Sequence, residues 1–111
     1  MLPEIDQQQL AQVRAAAAVM VVVDVRDADE YRGGHVPGAR LIPLKVLGAR
    51  MHELPRDTPV YLVCQSGGRS AQATRMLLGA GIRAVNVRGG TAAWIQVGRP
   101  IEHGIGTEAT R

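Results

Sequence analysis

A single cysteine, Cys64, is the residue of this chain with the clearest capacity for chemistry. It ends the apolar run PVYLVC (59–64), and the polar segment QSGGRS (65–70) follows it directly. Gly67 and Gly68 allow that segment to curl, and a curled loop turns successive backbone N–H groups inward as a nest for an anion. A helix that begins in this loop adds partial positive charge at the same point. Both effects favour a thiolate at Cys64.

The residues around Cys64 are compatible with two interpretations, a reactive thiol and a cysteine that only packs at the end of a strand. A thiol beside a helix N-terminus has its pKa lowered from about 8.5 into the range of about 3.5 to 7.5, and the nearby guanidinium of Arg69 acts in the same direction. A lone cysteine cannot form an intramolecular disulfide. The SGGRS segment favours the reactive thiol.

Strands and helices alternate along the chain in a pattern typical of an α/β domain. MVVVDV (20–25) and PVYLVC (59–64) are apolar without polar alternation, as expected of strands covered on both faces of a parallel sheet. Short βα connections predict a three-layer α/β domain, whose ligands bind outside the carboxyl ends of the strands, where Cys64 lies. The other predicted elements are strands at 40–42 and 84–87, helices at 6–17 and 44–54, a helix after Ser70 that ends near Gly79, a helix at 91–98 capped by Thr91, and an acidic turn at 27–31.

Three separated motifs follow one another in the sequence: VVDVRDADEYRGGHVPGA (22–39), CQSGGRS (64–70) and VRGGTAAW (87–94). Together they resemble the rhodanese (thiosulfate sulfurtransferase) family in its single-domain form. The resemblance covers residues 5–102. It implies a rhodanese-like three-layer fold, an α/β architecture in which a five-stranded parallel sheet is flanked by helices.

The resemblance also implies a role for each residue of the cysteine loop. Cys64 is the catalytic nucleophile, which takes a sulfane sulfur from thiosulfate or another small anionic persulfide donor and forms a persulfide. That sulfur then passes to cyanide or a thiol, and the donor or the acceptor can be a protein. No metal and no organic cofactor is implied. The residues implied to bind the substrate are Gln65, Ser66, Gly67, Gly68, Arg69 and Ser70.

Two features of the loop depart from related patterns and leave alternatives open. Cysteine-dependent phosphatases and arsenate reductases place five residues between Cys and Arg, whereas four separate Cys64 from Arg69. Thiosulfate-using members often have basic residues where this chain has Gln65 and Ser66, and neutral side chains leave the anion with only amides and Arg69. The alternatives are a persulfide carrier or sensor that works with a protein partner without turnover, and a small phosphatase or arsenate reductase.

Other polar residues are given structural roles. Asp24 and Arg26 end the first long strand and support the site, and an ion pair or loop hydrogen bonds that hold the fold are favoured over contact with the substrate. His35, in the Gly/Pro-rich loop GGHVPGA, is expected to be a buried anchor rather than a general base. Trp94 is assigned to the core. The three histidines and one cysteine have no close metal-ligand spacing, so no metal site is expected.

Composition limits the remaining classes of function. The 111 residues, 46% of them apolar, fit one domain at 1–102 with a frayed tail at 103–111. Twelve of the 13 basic residues are arginines, but they are scattered and only three aromatic residues accompany them, which disfavours nucleic-acid binding. The longest apolar stretch, Ala15 to Val23, is too short to span a membrane, which takes about 20 residues. Without a secretory signal or an apolar surface stripe, a cytoplasmic monomer is expected.

Overall fold

The computed structural model describes residues 2–16 and 20–105, and these form one five-stranded parallel sheet with helices on both faces. The strand order is β1-β5-β4-β2-β3, which confirms the predicted three-layer fold. No helix within the described ranges is long and apolar enough to cross a membrane. The elements are β1 (Glu4–Ile5), α1 (Gln7–Ala16), β2 (Val21–Asp24), α2 (Ala28–Arg32), β3 (Arg40–Leu41), α3 (Leu44–Arg50), a 3₁₀ turn (Met51–Glu53), β4 (Val60–Val63), α4 (Gly68–Gly79), β5 (Ala84–Val87) and α5 (Gly90–Gln96).

The two strands β2 and β4 position the cysteine. They pair in register from Val21 beside Val60 to Asp24 beside Val63. Three of the four residues in each strand are buried, as their continuous apolar sequences predict. Because parallel strands end at the same edge of a sheet, Asp24 and Cys64 leave it side by side.

Two apolar clusters cover the two faces of the sheet. One lies under α3 and α4 and includes Cys64, and the other lies under α1 and α5. Burial of each large aliphatic side chain contributes about 1.5–3 kcal/mol, so the cluster that contains the cysteine contributes to the stability of the fold. The first cluster contains Val23, Val25, Ile42, Leu47, Leu54, Val60, Leu62, Cys64, Ala73, Leu77, Ile82 and Ala84, and the second contains Leu10, Val22, Tyr31, Val36, Ala39, Val63, Val87 and Trp94.

Strand β1 has no counterpart among the four strands predicted from the sequence pattern. Its two residues are too few to show an alternating pattern, and its partner strand lies far along the chain. The Asn86 N–H donates to the Pro3 carbonyl at 2.9 Å, and the Arg88 N–H donates to the Ile5 carbonyl at 2.7 Å. The resemblance, rather than the residues of β1, supplied the correct strand count.

The prediction of a turn at 27–31 is wrong, because Ala28–Arg32 form the short helix α2. A capping box starts this helix: the Glu30 side chain accepts a hydrogen bond from the Asp27 N–H at 3.2 Å, and the Asp27 side chain caps the Glu30 backbone in return. Two N–H groups that would otherwise lack partners are thus satisfied, and five residues suffice for a helix.

Other helix ends also differ from the prediction. The helix expected at 44–54 stops at Arg50 and continues as the 3₁₀ turn. Thr91 is not the cap of α5, which begins one residue earlier, after Gly89 in a left-handed conformation with φ +82°. Helix α1 covers Gln7–Ala16 of the described residues, and the predicted end at Ala17 lies outside them.

The segment that follows α5 returns to the GGHVPGA loop. His35 and Glu102 exchange two backbone hydrogen bonds of 2.9 Å each, and the Gly104 N–H donates to the Arg32 carbonyl at 3.0 Å. Residues 101–105 are therefore attached to the domain. Residues 106–111 of the predicted tail lie outside the described residues, and the boundary at 102 stays a prediction.

Candidate active site

The loop between β4 and α4 bends sharply back over the end of the sheet. Gly67 makes that bend with φ +115°, a left-handed conformation that an L side chain rarely adopts. A Cβ at Gly67 would also lie 3.4 Å from the Gly89 nitrogen. Helix α4 begins at the next residue, Gly68, rather than after Ser70 as predicted, and the Ser70 N–H in its first turn donates to the Cys64 sulfur.

The sulfur of Cys64 lies inside this loop, and only 1% of the residue is exposed. Its Sγ accepts a hydrogen bond from the Gly67 N–H at 3.1 Å, and the Ser70 hydroxyl lies 3.3 Å away in position to donate. Burial raises the pKa of the thiol, but hydrogen bonds from the Ser70 hydroxyl and from the N–H groups of Ser70, Gly67 and Ser66 more than offset it. The net pKa is below the ordinary value, so the loop stabilises a thiolate.

The outer side of the loop is open to solvent. Gln65, Ser66 and Gly68 are exposed, whereas Ser70 is buried beneath Cys64. The residues predicted to bind the substrate thus contribute in different ways. Backbone N–H groups and the Ser70 hydroxyl face the sulfur from inside, and neutral side chains lie at the entrance. Arg69 is the one basic side chain of the loop.

The N-terminus of α5 holds the loop from the opposite side. The Thr91 N–H donates to the carbonyl of Cys64 and the Ala92 N–H to that of Gln65, each at 2.9 Å. A Cβ at Gly90 would lie 2.4 Å from the Cys64 carbonyl oxygen, so this close approach requires glycine. Gly90 was not among the predicted site residues, although the glycine pair in VRGGTAAW is a signal that could have found it.

Asp24 and Arg26 form a buried ion pair beside the loop. Both side chains are almost inaccessible, and Arg26 Nη2 donates to Asp24 Oδ2 at 2.8 Å. Arg26 also donates to the Gly34 carbonyl at 2.8 Å and to Gln65 Oε1 at 3.1 Å. The pair therefore connects the GGHVPGA loop to the cysteine loop, which agrees with the favoured structural role.

Arg69 contacts a partner that the sequence did not reveal. Its Nη1 and Nη2 donate to the two carboxylate oxygens of Glu30 at 2.7 and 2.8 Å. These hydrogen bonds lower the pKa of Glu30 to about 2, against a smaller effect of burial in the opposite direction. The pKa of Arg69 is raised, first by Glu30 and to a lesser degree by the charge of Cys64. The guanidinium donates to Glu30, whereas the groups that lower the pKa of Cys64 are Ser70, Gly67 and Ser66.

His35 and Trp94 have the structural roles predicted for them. The His35 ring is buried, stacks on Tyr31 with 3.6 Å between ring centroids, and its Nδ1 lies 2.8 Å from the Tyr31 carbonyl oxygen. The Trp94 indole is also buried, and its N–H donates to the Pro100 carbonyl at 2.7 Å. The His35 Nδ1 and the Trp94 indole N–H thus both contact backbone carbonyls.

A groove of about 490 Å³ opens beside Arg69 and is lined by residues of α3, of α4 and of the segment that follows β2. Its apolar floor belongs to the same side of the sheet as Cys64, because three of the lining side chains are members of, or pack against, the cluster that contains the cysteine. The lining residues are Val25, Asp27, Leu44, Lys45, Arg69, Gln72 and Met76.

Residues 6–97 match the family model described as a rhodanese-like domain. The chain belongs to this family. It is 39% identical over 102 residues to a sulfurtransferase of Allochromatium vinosum, with 91% of this chain and 95% of that protein covered. It is 34% identical to the putative sulfur carrier protein YrkF of Bacillus subtilis over 84% of this chain and 51% of that protein. A rhodanese-like domain protein from Staphylococcus aureus has a TM-score of 0.85 at 32% identity, with 93% and 99% covered.

This rhodanese-like chain therefore has a sulfurtransferase among its relatives, aligned over nearly its full length. Membership of the family and that relative support sulfur transfer as the general chemistry.

Proposed function

We propose that the protein is a sulfurtransferase that carries a sulfane sulfur as a persulfide on Cys64. The observation that carries the proposal is the sulfur at the centre of a loop of donors: the Gly67 N–H and the Ser70 hydroxyl point at Sγ from 3.1 and 3.3 Å. Such donors stabilise negative charge on the sulfur before and after the transfer, as an oxyanion hole does for oxygen.

The proposed reaction has two steps that balance in atoms and charge. The Cys64 thiolate attacks the outer sulfur of thiosulfate, the bond to the sulfonate sulfur breaks, and sulfite leaves with that electron pair. With an organic persulfide as donor, the leaving group is a thiolate. The terminal sulfur of the Cys64 persulfide is then attacked by cyanide or a thiolate, and the Cys64 thiolate is released. The resulting kinetics are ping-pong.

The entrance of the loop favours organic persulfides over thiosulfate as the natural donor. Gln65 and Ser66 are exposed and neutral, so they offer a sulfonate no charge. We further propose that the protein is a monomer and acts in the cytoplasm. This reducing compartment supplies thiols and thiol-bearing proteins as partners.

A second candidate is a persulfide carrier that serves a protein partner without useful turnover. The exposed Gln65 side chain, which Arg26 holds at 3.1 Å from its guanidinium, favours this candidate because it offers a surface for a protein rather than a charge for a small donor. The likeness to a putative sulfur carrier protein also supports it. Phosphatase chemistry is disfavoured, because Arg69 is bound to Glu30 and the loop is one residue short.

The test is the intact mass of the unreduced protein before and after exposure to thiosulfate, and in a second arm to an organic persulfide. We expect a gain of one sulfur atom that cyanide removes, and no gain in Cys64→Ser. Since Cys64 is the only cysteine, the variant has no other thiol to load. If neither donor loads sulfur on Cys64, the proposal is overturned. Loading without steady-state turnover would instead favour the second candidate, a persulfide carrier.

A further inference from the structure

Glu30 is held in one position by two independent sets of contacts. Its carboxylate accepts hydrogen bonds from both terminal nitrogens of Arg69 at 2.7 and 2.8 Å. It also accepts a hydrogen bond from the Asp27 N–H at 3.2 Å within the capping box. A carboxylate fixed in this way places its charge at the rim of the cysteine loop at neutral pH.

The cations near the loop are therefore largely neutralised. Arg26 is buried against Asp24, and Arg69 faces Glu30. Among the described residues that line the adjoining groove, Lys45 is the only cation for which no ion pair is recorded, and Asp27 adds another acid there. A dianion that approaches the loop meets little net positive charge.

We propose that Glu30 is a specificity-determining residue, which by occupying Arg69 disfavours the dianion thiosulfate and favours persulfides of small organic thiols as sulfur donors. This inference rests on the proposed transfer of sulfur through Cys64. It names the donor class of that same site and the side chain that selects it.

The electrostatic reason lies in the difference between the two donors. Thiosulfate carries two charges and needs a cation for its sulfonate, whereas a simple organic persulfide carries one charge on its terminal sulfur. The attraction of an Arg69 that Glu30 does not occupy would therefore act about twice as strongly on thiosulfate as on the persulfide. The loop N–H groups face the transferred sulfur, which both donors share.

The groove beside Arg69 favours the same donor class through its shape. Val25, Leu44 and Met76 give it an apolar floor on the face of the sheet that holds Cys64. The carbon chain of an organic persulfide can bury apolar surface against such a floor. Thiosulfate has no apolar part to place there.

The decisive variant is Glu30→Gln, which removes the charge and keeps the shape. Glutamine also serves in a capping box, so α2 is expected to remain folded. We expect kcat/KM for thiosulfate to rise about fivefold, mainly through a lower KM, and kcat/KM for the persulfide of 2-mercaptoethanol, which has no carboxylate, to rise by less than about twofold. High salt should shrink the gain, because the charges are close to solvent.

Two controls separate this effect from a general change in charge. Glu53 forms a similar ion pair with Arg50, with two hydrogen bonds of 2.9 and 3.0 Å, away from the cysteine loop. Glu53→Gln should therefore leave kcat/KM unchanged for both donors. In the double variant Glu30→Gln/Arg69→Gln, the gain for thiosulfate should disappear, because no cation is freed.

An unchanged preference between the two donors in Glu30→Gln would overturn the inference while leaving sulfur transfer intact. A similar rise for both donors would overturn it as well, since it would show a general effect on the thiolate. Absence of sulfur on Cys64 in both the wild type and the variant would instead overturn the proposed function on which the inference depends.

Discussion

Two arginine–carboxylate pairs border the Cys64 loop, and they differ in burial. In the Asp24–Arg26 pair the side chains are 0% and 3% exposed, whereas in the Glu30–Arg69 pair they are 34% and 38% exposed. Removing one partner of a buried pair lowers the stability of the fold strongly, because the remaining charge in the interior has no water to solvate it. A pair at the rim contributes little to stability but sets the local charge.

The largest expected effect concerns the buried pair. Arg26→Met should lower the free energy of unfolding by about 3–5 kcal/mol, because Asp24 is left as an uncompensated buried charge. Arg69→Met, at the rim, should lower it by about 1 kcal/mol or less. Urea denaturation followed by circular dichroism measures both, and equal losses in the two variants would show that burial is not what separates the pairs.

An intermediate effect concerns the pKa of Cys64. The Ser70 hydroxyl lowers this pKa more than either ion pair does. Ser70→Ala should raise the pKa of Cys64, because the thiolate loses its hydroxyl donor. A hydrogen bond to a charged group is worth about 1.5 kcal/mol or more, which corresponds to about a tenfold lower thiolate population below the pKa. The pH dependence of alkylation by iodoacetamide measures this change.

Arg69→Gln is the matched variant for that measurement. Its effect on the alkylation profile should be smaller than that of Ser70→Ala, since Glu30 offsets the charge of Arg69. A larger effect of Arg69→Gln would mean that the rim arginine, rather than the inner donors, controls the thiolate.

The smallest expected effect is the contribution of the rim pair to stability. The folded pKa of Glu30 is about 2, below its ordinary 4.5, so the pair stabilises the protein fully above about pH 4.5. This contribution is lost as the pH falls from about 4.5 to about 2. It should be about 1 kcal/mol or less, because the pair is one-third exposed and screened by water.

Unfolding free energies of the wild type and of Glu30→Gln at pH 7 and at pH 2.5 measure this contribution. The difference between them should be present at pH 7 and smaller at pH 2.5. A difference that does not change with pH would assign the stabilisation to packing or to the cap of α2 rather than to the charge of Glu30.

The parts of the molecule predicted from sequence are those whose signals are local. The apolar runs of β2 and β4 predict central strands, and the glycines after Cys64 predict a curled loop at the start of a helix. In each case the neighbours along the chain contain the physical cause, either burial on both faces or freedom of the backbone.

The parts that the sequence did not predict depend on contacts between distant residues. Strand β1 is fixed by β5, and Glu4 lies 82 residues from its partner Asn86. Glu30 and Arg69 are 39 residues apart, and nothing in either local sequence indicates that they meet. The cap of α5 was assigned to Thr91 by residue type, although the close approach of Gly90 to the Cys64 carbonyl decides where that helix starts.

The contacts between α5 and the carbonyls of Cys64 and Gln65 have a consequence for the order in which the protein assembles. Helix α5 follows all five strands along the chain, so a ribosome-bound chain that has emerged only as far as α4 contains the cysteine and its inner donors without the N–H groups that fix the loop from outside. During synthesis the cysteine loop is therefore completed late, after the whole sheet has been made.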